Sequence, residues 1–339
     1  QNAALRLAVS PLSDVGTGEE HPLPGLDAEL RFSPLGDGWD MKVLSLQYWR
    51  GEDRSPVTQG HFRYQPTPDG FGTRLDADLD SLRVADLLSW LSVLNVAGDM
   101  PLPRGEQVRG NLQSLRFEYR QAVGAQPQYE VQAQVQGLAL PAVDGLPGVT
   151  GLSGKLYATD QAGRFDAKVS NARLDLPQVF EQVLPLSRFD LGLAWEKQGE
   201  AWRIFTDKLE TQVLTARATG SLNLLLDDAP SPAIDLKLAF EATDILPLKP
   251  YIPKPPALPG PVGEWLQASL AGGTVPEGTM QLKGRLADFP YENPGEPGVF
   301  RIEFQARDAS LSYAPDWPVV DRINGHAVFH GRSMYIEAG

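Results

Sequence analysis

A chain whose hydrophobic residues recur at every second position has few ways to fold. Successive side chains of a strand point to opposite faces, so such a stretch is apolar on one side and wet on the other. In YEVQAQVQGLALP, residues 129–141, Tyr129, Val131, Ala133 and Val135 alternate with Glu130, Gln132, Gln134 and Gln136. The rhythm returns in Ile234, Leu236, Leu238 and Phe240, and in Leu115, Phe117 and Tyr119. It returns again in Phe300, Ile302, Phe304 and Ala306, whose alternates are Arg301, Glu303, Gln305 and Arg307. The 33 glycines and 29 prolines among 339 residues are scattered, which suits many short strands joined by turns. EKQGEAW (196–202) and SPLGDGW (33–39) read as hairpin turns. The fold class is mainly β.

Helical signals are sparse. VADLLSWLSVLN (84–95) places Val84, Leu87, Leu88, Leu91 and Leu94 on one stripe with a period near 3.6. DLPQVFEQVL (175–184) has Pro177 in a first-turn position, which predicts a second helix. PVGEWLQASL (261–270) stops before Gly272 and Gly273 and predicts a third. YIPKPPALPGP (251–261) reads as an extended connection. The helices at 84–95 and 261–270 are too short to span a bilayer and are expected to cap or plug the sheet.

The segments repeat. Leu30, Gly36, Trp39 and Leu46 recur as Leu193, Gly199, Trp202 and Leu209, a shift of 163. Gln134, Leu140, Pro147, Val149 and Gly154 recur as Gln305, Leu311, Pro318, Val320 and Gly325, a shift of 171. Tyr129 and Val131 become Phe300 and Ile302. Two modules follow, 1–192 and 193–339, with the Pro-rich connection absorbing the extra residues. Period repeats of this kind stack so that neighbours share one core.

The residues that carry chemistry are few. Net charge is −13 and no Lys/Arg cluster stands ready to neutralise phosphates, so nucleic acid is not an expected partner. Cysteine is absent, which excludes disulfides and thiolate chemistry. His326 and His330 have the H-x-x-x-H spacing of a helical metal site, but they lie on an alternating stretch. Four strand residues would hold the rings about 13 Å apart. Asp76, Asp78 and Asp80 have calcium-loop spacing, yet Ser81 and Leu87 stand where the loop needs Gly and Glu. GLSGK (151–155) has Val149 and Leu156 where a phosphate loop needs Gly and Ser or Thr. G-x-S-x-G and G-x-G-x-x-G do not occur. No catalytic residue, metal ligand or cofactor is assigned, and the chain is not read as an enzyme.

The second module carries a resemblance. The landmarks are Tyr251 and Pro253, Trp265 and Leu266, Gly272, Gly273 and Gly284, the DFPY of Asp288 to Tyr291, then Tyr313, Trp317, Pro318, Gly325 and Gly331. Their order resembles the YhdP branch of the AsmA-like bacterial envelope proteins, most specifically over 240–339 and more loosely over 1–239. The resemblance implies an elongated, curved antiparallel β-sheet groove, taco-shaped in section and built of repeating modules. It also implies an N-terminal anchor in the inner membrane and a body in the periplasm. The groove would carry phospholipids between inner and outer membrane and so support the outer-membrane barrier. No run of 18 apolar residues and no signal peptide occurs in this sequence, and SMYIEAG still reads as a strand and its turn. An internal piece of a longer protein is therefore expected, with the two membranes reached through parts outside it.

What lies against the apolar rows is then the central question. From the residues alone, a second sheet closing an ordinary core is the simpler reading. Under the resemblance, twelve residues become the lining of a lipid groove: Tyr129, Val131, Ala133, Val135, Ile234, Leu236, Leu238, Phe240, Phe300, Ile302, Phe304 and Ala306. Phospholipid acyl chains are the expected partner. The alternatives are a non-catalytic β-scaffold that docks or assembles envelope proteins, and an enzyme on envelope glycans needing a carboxylate pair in a cleft.

Overall fold

The computed structural model describes residues 3–9, 25–67, 72–93, 107–143, 147–255, 258, 260–291, 297–312, 317–331 and 333–338. It divides into two compact units, one of Gln1–Pro141 with Gly151–Gly163, the other of Ala142–Thr150 with Arg164–Gly339. Both are built almost wholly from antiparallel strands, so the mainly β reading holds.

Unit 1 contains β1 (Ala3–Val9), β2 (Gly25–Leu35), β3 (Gly38–Arg50), β4 (Asp53–Arg54), β5 (Thr58–Pro66) and β6 (Gly72–Arg83). Helix α1 (Val84–Val93), β7 (Arg109–Ala122) and β8 (Gln128–Leu140) follow. Pairing runs β1–β2–β3–β5–β6–β7–β8, with β4 a short addition to β3. Strands β9 (Gly148–Thr159) and β10 (Ala162–Val169) have residues in both units. Unit 2 then contains β11 (Ala172–Asp175), β12 (Leu184–Gln198), β13 (Ala201–Val213), β14 (Ala216–Leu226) and β15 (Ala233–Ala242). Helix α2 (Gly260–Ser269), β16 (Leu270–Arg285), β17 (Val299–Leu311), β18 (Val320–His330) and β19 (Ser333–Ala338) complete it. From β11 to β19 every strand pairs with the next in sequence.

The turn chemistry explains part of this regularity. Leu35 pairs with Gly38 and Gln198 with Ala201, so each hairpin encloses two residues. The first of each two, Gly36 and Gly199, has φ of 60° and 65°. A two-residue hairpin asks for that left-handed backbone, which glycine adopts without steric cost. Both expected hairpins are therefore present, at positions 163 residues apart. The boundary between 192 and 193 drawn from the repeat falls inside β12, so repeat and compact units partition the chain differently.

Bulges interrupt several ladders. Register shifts fall between Val43 and Leu46 on β3 and between Gln113 and Arg116 on β7. Unit 2 has them between Leu191 and Ala194, Thr206 and Leu209, and Ala306 and Ala309. A bulge bends its strand and raises the local twist. The unit 1 bulges lie beside buried residues: Val43 is 1% exposed, and Leu46, Leu79 and Leu115 are buried. Ala28, Val43 and Leu46 form one cluster, with Leu26, Leu30, Tyr48 and Phe62 packed on it.

Two of the expected helices form, α1 to within the described residues (94 and 95 lie outside them) and α2 one residue early. The helix predicted over 175–184 does not. Asp175 belongs to β11 and Leu184 opens β12, leaving eight residues between two strands. Val179 and Phe180 both donate to the Leu176 carbonyl, so one turn closes and goes no further. The Val179 carbonyl instead accepts from the Lys254 N–H at 2.8 Å. The Pro177 signal was correct for a turn, but strand pairing on both sides outcompeted helix propagation, which gains only as it lengthens.

Candidate functional site

Residues directly opposite in an antiparallel pair share a face, so the registers trace each apolar row across the sheet. In unit 2 one row runs Leu191, Leu209, Gly220, Leu238, Met280, Ile302, Phe329, Met334, one residue from each of eight successive strands. Seven inter-strand steps make it about 34 Å long. All eight residues are half-buried, none exposed and none packed away. Beside it lie Leu222, Leu236, Leu282 and Phe300, and on the other flank Ala218, Phe240, Gly278, Phe304 and Ala327. Glycine at 278 makes room for an aromatic ring: a Cβ there would stand 2.5 Å from the Phe240 ring. The Phe240 and Phe304 centroids are 6.5 Å apart across that gap, and Phe304 stacks on Phe329 at 6.2 Å.

Unit 1 has its own rows. One runs Ala3, Phe32, Met41, Phe62, Ala77, Phe117, Val131. Leu5, Leu30, Val43, Gly60, Leu79 and Leu115 form its neighbour.

Of the twelve residues expected to line a groove, Val131, Leu236, Leu238, Phe240, Phe300, Ile302 and Phe304 lie in these rows. The β15 and β17 sets are brought together through β16: Leu236 to Phe300 by Leu282, Leu238 to Ile302 by Met280, Phe240 to Phe304 by Gly278. The β8 set stands in unit 1. Of the twelve, Ala133, Val135 and Phe300 are buried and Tyr129 is 38% exposed, while the other eight are half-buried. A second sheet packed face to face at about 10 Å would bury such residues almost fully. Sequence reading missed Met41, Phe62, Leu222, Met280, Leu282 and Phe329, which belong to the same rows. The alternation of Met280 and Leu282 was available, but glycines at 60, 220 and 278 interrupt the pattern where the rows cross them.

Among the described residues, each unit has one α-helix beside its strands in the chain. α1 packs on β6 and β7. Arg83 Nε donates to Asp86 Oδ2 at 2.7 Å and its Nη1 to Asp53 Oδ2 at 2.7 Å, while Arg50 Nη2 donates to Ser89 Oγ at 2.6 Å. Asp86 is 1% exposed, so its charge needs that arginine. Burial, with the Asp86 charge adding to it, pushes the Tyr48 phenol up to about 12. In unit 2, Lys249 of the 3-10 turn Leu246–Tyr251 donates Nζ to the Leu270 carbonyl at 2.8 Å, and Leu258 is buried nearby in sequence.

The opposite faces are wet and charge-paired. Asp40 accepts from His61 and Arg63, Asp78 from Arg116, and Asp76 from Arg74. Asp80 accepts from the Gln59 N–H. The three aspartates of the calcium-like spacing thus point to separate partners along a strand face. Burial pushes Asp40 up, but His61 and Arg63 outweigh it and hold its carboxyl below its ordinary value. Arg301 and His326 hold Glu303 low in the same way. His326 and His330 lie on β18, opposite Gln305 and Arg301. A depression of about 720 Å³ in unit 2 is lined mainly by this polar side, including Lys208, Thr219, Ser221, Lys237, Gln281 and Arg301.

Fold and face together define a class: an antiparallel β-sheet protein whose long apolar rows are left half-open, with no grouping of three or more metal-ligating side chains among the described residues. No helix among those residues is long and apolar enough to cross a membrane. The chain belongs to the YhdP family, whose model matches residues 5–339. It is similar to the intermembrane phospholipid transporter YhdP of Escherichia coli (strain K12), 20% identical over 221 residues, covering 65% of this chain and 17% of that relative. The chain therefore spans a small part of the relative's length. No solved structure matches it.

Proposed function

We propose that this chain is a periplasmic segment of an inner-membrane-anchored lipid conduit. It carries phospholipids between inner and outer membrane with their acyl chains on the apolar rows, and thereby supports the outer-membrane barrier. It performs no catalysis. Support comes from the family, from the name of the E. coli relative and above all from the eight-strand row of Leu191 to Met334, continuous and half-exposed throughout. Each methylene moved from hydrocarbon into water costs about 0.8 kcal/mol, so ten cost about 8 kcal/mol. A lipid in transit needs apolar contact without gaps, and a row with one apolar or glycine position on every strand provides it. The charged faces stay in water, and headgroups remain outside the rows, so net negative charge is no obstacle.

The test is site-specific photocrosslinking in cells. A crosslinker at Val131 or Ile302 is expected to capture phospholipid several-fold more than one at Gln132 or Glu303 on the opposite face. Equal labelling of the two faces would overturn the conduit and leave a docking scaffold as the better reading.

A further inference from the structure

The apolar face of unit 1 changes character along its strands. On β7 the face reads Leu112, Leu115, Phe117, Tyr119, Gln121: the first two are buried, the next two half-buried, the last exposed. On β8 it reads Val135 at 4%, Ala133 at 7%, a half-buried Val131, then Tyr129 at 38%. The same level carries rings on two further strands. Tyr129 is opposite Tyr119, Tyr119 opposite Leu75, Leu75 opposite Tyr64 and Tyr64 opposite Trp39. Trp39 and Tyr64 stack with centroids 5.7 Å apart. Tyr119 donates its hydroxyl to Gln121 Oε1 at 2.6 Å, toward the polar end.

Tyr and Trp settle where an apolar body meets a wet tip, which is why they collect at bilayer interfaces. Here one row of them separates a dry stretch from a polar rim. Resting on the conduit reading above, we propose that Trp39, Tyr64, Tyr119 and Tyr129 mark the headgroup level of a phospholipid bound to unit 1. Its tails lie on the half-buried row beside the rings, Met41, Phe62, Phe117 and Val131, and its glycerol and phosphate region meets the hydroxyls. Lipid then moves sideways from strand to strand, headgroup along the row of rings and tails along the row beside it. The tyrosines are positioning residues that give the lipid one orientation.

The unaltered chain tests this when loaded with phospholipid carrying a photoreactive diazirine either on the headgroup or at the acyl terminus, with crosslinked residues mapped by mass spectrometry. Headgroup probe is expected at Tyr64, Tyr119, Tyr129 and Gln121, and tail probe at Phe62, Phe117 and Val131, each preferring its own level at least fivefold. Both probes labelling both levels equally, or the reverse order, overturns the orientation and leaves the conduit standing. Labelling absent from the whole apolar face overturns the conduit and the orientation with it. Changing Tyr64, Tyr119 and Tyr129 together to Phe keeps the rings and removes the hydroxyls. Headgroup labelling at that level is then expected to fall several-fold while tail labelling holds, and an unchanged headgroup pattern would dismiss the hydroxyls.

Discussion

The two units end their apolar faces differently. In unit 1 the face finishes in upright amphipathic rings, with Tyr129 38% exposed. In unit 2 three aromatic residues pack on one another. Phe289 packs edge-on against Phe300 at 5.0 Å and against Tyr291 at 6.0 Å. The Tyr291 ring fills the space above two glycines: a Cβ on Gly298 would stand 2.0 Å from it and one on Gly284 2.7 Å. Its hydroxyl is buried without a hydrogen-bond partner among the described residues, and burial, with Asp288 beside it, raises its pKa. Similar alternation thus yields a wet rim in one unit and, in the other, a corner at Phe300 covered by aromatics beside a row that stays half-buried. The difference lies in a few residues outside the alternating core of the strands.

The largest expected effect breaks the common element. Ile302→Asp puts a charge in the middle of the unit 2 row. Lipid capture by a crosslinker at Leu238 is expected to drop more than tenfold, with circular dichroism unchanged. Phe300→Ala removes the ring on which the unit 2 closure rests. Equilibrium urea unfolding is expected to show a loss of about 3–5 kcal/mol, as for other buried Phe truncations, whereas Tyr129→Ala at the open rim of unit 1 should cost far less. Arg83→Ala leaves Asp86 buried and unpaired in the first turn of α1, and a loss of about 3 kcal/mol is expected. Hydrogen exchange should locate that loss in α1 and β6 rather than in unit 2. Gly298→Ala drives a methyl into the Tyr291 ring. Displacement of the ring at about 1–3 kcal/mol is expected, read as a gain in Tyr291 iodination, which would make the unit 2 face resemble that of unit 1.

The smallest effect concerns the half-buried clamp of unit 2. Arg285 donates both terminal nitrogens to Asp227, at 2.7 Å each, and holds that carboxyl down at about 2. The unfolded carboxyl keeps its ordinary value of 3.8, so the clamp's contribution is fully present above that pH and is lost as pH falls toward 2. Asp227→Asn is expected to lower stability slightly at neutral pH and to flatten its pH dependence between 4 and 2 in acid titration. An unchanged acid limb would assign that limb to Asp40 and Glu303 instead.

Much of this was legible because a strand advertises its own burial. Tyr129 to Val135, Ile234 to Phe240 and Phe300 to Ala306 needed only period two to be set on one face, and the hairpin glycines 36 and 199 announced their turns. The rows themselves were less legible. Which residue of β15 meets which of β17 depends on β16, where Gly278 stands in the apolar row, and on bulges that shift register by one residue. The segment 175–184 misled because Pro177 opens a single turn as readily as a helix. The aromatic level of unit 1 was hidden for the same reason as the rows: Trp39, Tyr64, Tyr119 and Tyr129 are spread over 90 residues, and only strand pairing aligns them.

The order of pairing has one more consequence. From β12 onward each strand pairs with the one just before it in the chain. Loop closure then involves short spans, and no strand waits for a distant one. Such a sheet can be zipped up in the order in which the polypeptide is delivered, each new strand completing the hydrogen bonds of the last. It can equally be lengthened by adding strands at its growing edge, without redesigning what is already folded.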